Sequence, residues 1–298
     1  MHKSRAIQGI SIGFIGTFMH TIVSIISKIA YNAISRDMFL VLMYGAATLL
    51  TLFYIIITGK SSLLKLPKRQ IGPTVLVGVF YFIGATTYFL SIQITDPSLV
   101  SFFGRLQTVY IVIFGVIFLK ERLNKGEVTG MAVTLTGALI ITYASGQNVL
   151  FAFLLALLGE SLFNALGMVS TKVALSRGAT GVAVIFWRSF ICFILTMLMA
   201  LVRGLLEIPT TAGLGWSILA AVIGPVGTFI FFTWALRIIT ASKMGMIRNI
   251  QPVMTVLLSL LILNTVPTAR QLVGGAISLV GVMIIIQAQM RVRSNPNT

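Results

Sequence analysis

The 298-residue sequence is poor in charged side chains, which make up 9% of its residues, whereas 57% are hydrophobic. A soluble domain has about a quarter charged residues, so this chain lacks the side chains that cover a water-exposed surface. A bilayer core requires about 20 apolar residues per helix, and such stretches follow one another here with short polar breaks. The composition excludes a soluble domain and indicates a polytopic membrane protein.

Cysteine and acidic residues are also scarce. The single cysteine, Cys192, excludes an internal disulfide. Only six Asp and Glu residues face 22 Lys and Arg residues, which gives a net charge of +16. The basic residues flank apolar spans and do not form a stripe with interleaved aromatics, so we expect no nucleic-acid partner.

The motifs of common enzymes are absent from the sequence. It has no HExxH, no GxSxG, no Cys/His metal cluster and no phosphate-binding loop, and it has two histidines. We therefore expect no enzymatic activity, no cofactor and no metal. The alternatives to a solute transporter are an exporter of drugs or amphiphiles, a flippase of lipid-linked substrates, a membrane-embedded enzyme and an inert scaffold.

Apolar runs between charged or Gly/Pro breaks predict an all-α membrane protein with ten transmembrane helices. Asp96-Pro97 is a helix cap followed by proline at the first helical position. The predicted helices are 7–30, 38–58, 72–94, 97–118, 126–145, 149–175, 181–203, 214–237, 242–263 and 270–290.

Basic residues outside these helices are distributed unevenly between the two sides. Fourteen Lys and Arg residues lie at the termini and in the even-numbered loops, against Arg36, Arg203 and Arg270 on the other side. Because positive loops stay in the cytoplasm, we expect both termini there, in a cell membrane crossed several times.

The two halves of the sequence are similar at a constant offset of 144 residues. Residues 106–142 and 250–286 match without a gap at ten of 37 positions, among them Gln107/Gln251, Gly130/Gly274 and Gly137/Gly281. This predicts two five-helix repeats, 1–146 and 147–298. An odd number of helices inverts the second repeat, an architecture typical of transporters that work by alternating access.

The run Phe118-Leu119-Lys120-Glu121-Arg122, followed by Gly130 and Leu135-Thr136-Gly137, resembles EamA repeats of the drug/metabolite transporter superfamily. The resemblance covers essentially the whole chain. It implies a central cavity between the halves and transport of amino acids, other metabolites or drugs. The halves have diverged, since Thr108, Glu121 and Tyr44 are matched by Pro252, Thr265 and Arg188.

Ionisable residues within a bilayer usually face protein or a wet cavity. Glu160, roughly 16 Å into its helix, begins a polar stripe at helical spacing that continues through Asn164, Gly167 and Thr171. Glu160 could carry a proton or balance a cationic substrate group; the alternative is a buried ion pair with an Arg or Lys. His20, equivalent to Asn164, is a second candidate, with hydrogen-bonded packing as its alternative.

The ninth helix carries Arg248, Asn249, Gln251 and Pro252. A proline in a helix interior frees the carbonyl four residues earlier, here that of Arg248, so Pro252 is the predicted kink or hinge of a binding site. Arg105 in the fourth helix is the repeat partner of Asn249, so the two arginines need not meet.

Three arginines within the spans, Arg105, Arg188 and Arg248, exceed the one carboxylate by two charges. We therefore expect a small organic anion or zwitterion, such as an amino acid, with Arg105 and Arg248 as its charge contacts. Alternatively, the arginines bind lipid headgroups, Glu160 or helix ends. Small-residue faces, Gly126/Gly130/Gly137 and Gly274/Ser278/Gly281, predict close helix contacts, within the chain or in a homodimer.

Overall fold

A computed structural model describes residues 2–119, 125–143, 146–238 and 247–294, and all regular structure in these residues is helical. Residues 120–124, with Glu121 of the EamA-like motif, lie outside the described residues. The α-helices are α1 (His2–Ala30), α2 (Arg36–Ile57), α3 (Lys68–Ile94), α4 (Pro97–Phe103), α5 (Leu106–Leu119), α6 (Lys125–Thr142), α7 (Gln147–Leu155), α8 (Leu162–Ser176), α9 (Gly181–Val202), α10 (Thr211–Ala221), α11 (Phe229–Ile238), α12 (Gln251–Leu258) and α13 (Ala269–Ser294).

Eight helical segments of the described residues are long and apolar enough to cross a membrane. Two of the ten predicted spans are not among these eight. The fifth, α6, begins with two charged residues, Lys125 and Glu127, and the described apolar part of the ninth, Gln251–Leu263, is short. The structure therefore shows an all-helical chain with eight candidate spans.

Two of the eight spans and the shorter segment Gln251–Leu263 each contain a π-helical turn, in which each backbone hydrogen bond spans one residue more than in an α-helix. These turns are Ala156–Ser161 between α7 and α8, Val222–Thr228 between α10 and α11, and Ser259–Leu263 after α12. The sequence analysis placed all of these residues in regular α-helices. Such turns occur frequently at functional sites.

The helices pack as a bundle in which α1 and α3 are central. Helix α3 packs against α8 and α9, and α1 packs against α10, α11 and α12. An apolar cluster that includes the buried Phe39, Leu40 and Met43 joins α1, α2 and α3. Cys192 of α9 is fully buried beside α3, where its thiol donates to the Gly78 carbonyl at 3.5 Å.

Helices α6 and α13 pack along each other over most of their lengths through the predicted glycine faces. A Cβ atom on Gly137 would lie 2.5 Å from the Gly274 carbonyl oxygen, and one on Gly281 would lie 2.7 Å from that of Gly130. Only glycine allows backbones to approach this closely. The predicted close contact is therefore confirmed between helices of one chain.

Polar contacts tie helix ends together at one end of the bundle. There the Lys28 ammonium donates to the carbonyls of Ile92 (2.8 Å) and Thr95 (2.5 Å), which satisfies the C-terminus of α3. At the same end Asp37 pairs with Arg36 and, at 3.2 Å, with Arg203. Two arginines of the sparsely charged side thus share one carboxylate.

Candidate functional site

The helical backbone is interrupted at two places that are 145 residues apart, one residue from the offset of the two repeats. A turn at Gly104-Arg105 separates α4 from α5, and a turn at Asn249-Ile250 precedes α12. Non-helical backbone at membrane depth occurs only where it is buried in protein or lines a cavity. The paired breaks therefore mark the place where a polar site can be built.

Arg105 connects the two breaks. Its guanidinium donates to the Arg248 carbonyl at 2.8 Å and to the Gln251 side-chain oxygen at 2.9 Å, and its Nε donates to the Ser101 carbonyl at 3.3 Å. Arg105 is 6% exposed and Gln251 is 2% exposed. The site thus holds a buried guanidinium between the two halves of the sequence.

The predicted position of Pro252 in a helix interior is wrong. Pro252 lies in the first turn of α12, at a position that proline favours, and not in a helix interior. The helical backbone is interrupted at Asn249-Ile250, before Pro252, and is not kinked at Pro252 itself. Proline still leaves the Arg248 carbonyl without its usual backbone donor, and Arg105 supplies the missing hydrogen bond.

Glu160 lies in the π-helical turn Ala156–Ser161 and is 7% exposed. Its Oε1 lies against the first break, 3.1 Å from where a Cβ atom on Gly104 would be, while its Oε2 is buried without a hydrogen-bond partner. Glu160 is within electrostatic range of Arg105 and Arg248. Both ion pairs recorded among the described residues involve Asp37, so the predicted alternative of a direct ion pair is not found there.

Asn249 supplies a further buried donor at the second break. It is 5% exposed and its Nδ2 has no hydrogen-bond partner. The first turn of α12 begins two residues later, and the first N–H groups of a helix point out of its N-terminus and favour negative charge. The break at Asn249 is therefore suited to hold an anionic group.

His20 and Asn164 differ in their relation to this cluster. The His20 ring stacks on Tyr88 with 6.0 Å between centroids and lies within electrostatic range of Arg105 and Arg248. Asn164 faces α3, because a Cβ atom on Gly84 would lie 2.7 Å from its Oδ1. The structure thus brings His20 to the arginines and directs Asn164 against a neighbouring helix.

Tyr88 is a further residue at this site, on α3. It is 7% exposed and lies within electrostatic range of Glu160, Arg105 and Arg248. Tyr81, seven residues earlier on the same face of α3, lies under the Arg188 guanidinium at 5.2 Å. The seven-residue spacing of Tyr81 and Tyr88, with Gly84 between them, is the sequence pattern from which this face of α3 could have been predicted.

The described residues contain no group of three or more His, Cys, Asp or Glu side chains that could hold a metal ion. The cluster that they do contain consists of arginines, amides, tyrosine, histidine and one carboxylate. Side chains of these kinds can hydrogen-bond to charged groups and attract them electrostatically.

The sequence profile of the EamA-like transporter family matches this chain twice, over residues 7–143 and 150–287. The chain belongs to this family. It is therefore a multi-pass membrane protein of a transporter family, within the drug/metabolite transporter superfamily that the sequence resemblance indicated.

One curated relative of this EamA protein is the probable terminal-alkyne amino-acid exporter of Streptantibioticus cattleyicolor. The two are 28% identical over 194 residues, and this alignment spans 64% of each chain, so just under two thirds of the relative is matched. A solved crystal structure matches the fold with a TM-score of 0.64 at 19% identity, over 94% of this chain and 98% of that one. That likeness shows the shared fold.

Proposed function

We propose that this EamA protein is a secondary-active transporter that moves a small zwitterionic metabolite, such as an amino acid, by alternating access. The observation that carries the proposal is the pair of facing helix breaks bridged by Arg105, with the Glu160 carboxylate against the first of them. Opposite charges next to unwound backbone suit a solute that carries both charges.

The anionic group of the solute binds at the second break in this proposal. Arginine has five N–H donors, and the three hydrogen bonds of Arg105 to Ser101, Arg248 and Gln251 leave donors over. The unpaired Nδ2 of Asn249 and the N-terminus of α12 add donors at the same place. A carboxylate is satisfied by such a set.

The cationic group binds Glu160, whose Oε2 has no protein partner. When the site is empty, a proton can replace the solute on this carboxylate, which would couple transport to a proton gradient. His20 and Tyr88, which stack on each other within electrostatic range of these charged groups, orient the solute. The similarity to a probable amino-acid exporter favours amino acids over other zwitterions.

The proposed architecture is ten transmembrane helices in two inverted repeats, 1–146 and 147–298. Helix α6 supports the fifth span, because it packs along α13, which is itself long and apolar enough to cross. The two breaks lie within one residue of equivalent repeat positions, which supports the inverted repeat. The excess of basic residues at the termini and even-numbered loops supports cytoplasmic termini in a cell membrane.

Purified protein in sealed proteoliposomes tests the function directly. Vesicles loaded with one unlabelled amino acid at a time should take up the same labelled amino acid by exchange, and the product should be chemically unchanged. Arg105→Ala should abolish this exchange, whereas Arg203→Gln at the rim should not. A chemically altered solute would indicate an enzyme, and exchange of cationic drugs without amino acids would refute the proposed substrate class.

A further inference from the structure

Arg188 lies outside the paired breaks but has the properties of a binding group. It is 7% exposed in α9, and its Nη2 donates to the Pro225 carbonyl at 2.9 Å in the π-helical turn Val222–Thr228. Its guanidinium lies 4.3 Å from the Phe229 ring centroid and 5.2 Å from that of Tyr81. Its Nε is buried without a hydrogen-bond partner.

Arg248 is held in the same manner. Its guanidinium lies 5.3 Å from the Phe232 ring centroid, and its Nε is also buried without a partner. Phe229 and Phe232 are three residues apart on α11, so they lie on one face of that helix. Two guanidinium groups, one from α9 and one from the segment before α12, therefore lie along one aromatic face, and both are within electrostatic range of His20.

The charges of these two arginines are not balanced by the proposed zwitterion. The sequence has six carboxylates, and both ion pairs recorded among the described residues use Asp37. Glu160 is one carboxylate within electrostatic range of Arg105 and Arg248, and all three arginines lie within electrostatic range of His20. A zwitterion adds no net charge, so two positive charges remain, and buried charge without a counterion costs several kcal/mol.

We propose that Arg188 and Arg248, laid on the Phe229/Phe232 face, form a second subsite that binds a small anion. The aromatic rings cover the guanidinium faces, so each Nε edge is left to donate in the plane of the group, which is the geometry that an anion accepts. The anion is either a second carboxylate of the transported solute or a free ion such as chloride. This inference uses the proposed function only to place the subsite in the transport path.

Thermal unfolding of the detergent-purified protein tests the subsite without any transport assay. Sodium chloride, sodium L-glutamate and L-glutamine are titrated at constant ionic strength, which is maintained with the bulky HEPES anion. Saturable stabilisation by chloride identifies a free ion, and stabilisation by glutamate beyond that by glutamine identifies a second carboxylate of the solute, because ligands of the folded state raise the unfolding temperature.

Arg188→Gln should raise the half-saturating anion concentration by about tenfold or more, as expected from losing a hydrogen bond to a charged group. Arg188→Lys keeps the charge but lacks the Nε edge, so it should also weaken the effect and serves if the Gln variant does not fold. Arg203→Gln, which removes a half-exposed arginine at the rim, should leave the half-saturation unchanged.

The subsite is refuted if neither anion stabilises the unmodified protein, or if both Arg188 variants respond at the same concentrations as the unmodified protein. Proteoliposomes that exchange amino acids while no anion effect is seen would remove the subsite and leave the proposed function. If the anion effect depends on Arg188 but the protein transports no amino acid, the subsite is supported and the proposed function is refuted.

Discussion

The contact between α6 and α13 leads to a prediction about stability, for which the chain provides its own control. In Gly137→Ala, the new Cβ atom would lie 2.5 Å from the Gly274 carbonyl oxygen and 2.8 Å from the Ser278 Cα atom. Both are backbone atoms of α13, which cannot rotate away as a side chain can. At Gly215 in α10 no atom lies within 4 Å of the corresponding position, so Gly215→Ala is the matched control.

The two substitutions should change the free energy of unfolding in opposite directions. Overpacking costs about 1–3 kcal/mol, and the rigid backbone contacts at Gly137 put its cost at about 3 kcal/mol. Alanine stabilises a helix by about 1 kcal/mol relative to glycine. Gly137→Ala should therefore lower the free energy of unfolding by about 2 kcal/mol. Gly215→Ala, which meets no atom, should raise it by about 1 kcal/mol. At roughly 2–4 °C per kcal/mol, the unfolding temperatures should differ by roughly 6–12 °C.

Thermal unfolding in one detergent, with size-exclusion chromatography for folded yield, measures both variants side by side. Gly137→Ala should unfold at a lower temperature and elute with less folded material, and its solute preference should be unchanged. Equal unfolding temperatures for the two variants would show that α6 and α13 are not packed as closely as described. Normal stability with an altered solute preference would place Gly137 on the transport path.

Four further outcomes are expected. Glu160→Gln should abolish accumulation against a gradient while some exchange remains, and unchanged concentrative uptake would reduce Glu160 to a structural residue. Arg105→Gln should raise the half-saturating concentration at least about tenfold for a carboxylated solute and less for its neutral amide, with equal effects arguing against a carboxylate contact. Pro252→Ala adds an N–H that competes with Arg105 for the Arg248 carbonyl, so turnover should fall while folded yield is kept; unchanged turnover would mean that the freed carbonyl has no role. An epitope tag inserted at the exposed turn of Gly59 should be reached by antibody only after permeabilisation, and labelling of intact cells would reverse the proposed orientation.

The sequence was sufficient to locate the eight candidate spans and to select most of the charged residues that cluster between them. Long apolar runs set the ends of α1, α2, α3 and α9 to within a few residues, because the bilayer requires a minimum apolar length. Arg105, Glu160 and Arg248 could be chosen since charged side chains within apolar runs are rare and costly. The freed Arg248 carbonyl followed from proline chemistry alone.

The helix breaks and π-helical turns could not be read from the sequence. The turn at Gly104-Arg105 contains no proline, and the apolar pattern of the predicted fourth helix runs through it. The polar stripe from Glu160 to Asn164 assumed 3.6 residues per turn, but Glu160 lies in a π-helical turn, which is wider and changes the direction of the residues that follow. That is why Glu160 lies against Gly104 while Asn164 faces α3.

The bond between Arg105 and the second break depends on how two distant helices are rotated about their axes, which spacing along one chain does not specify. Sequence equivalence pairs Arg105 with Asn249, whereas the structure pairs its guanidinium with the carbonyl of Arg248 and the side chain of Gln251. Equivalent positions in a duplicated chain thus need not contact each other even when the segments that carry them do.

The burial of Cys192 has a practical consequence for spectroscopy. It is the only cysteine in the sequence, and its thiol is enclosed between α9 and the Gly78 carbonyl of α3. Water-soluble maleimides and nitroxide reagents react with exposed thiolates, so the unmodified chain should give almost no background signal. Pairs of fluorophores or spin labels can therefore be attached at chosen surface positions without replacing a side chain from the packed interior.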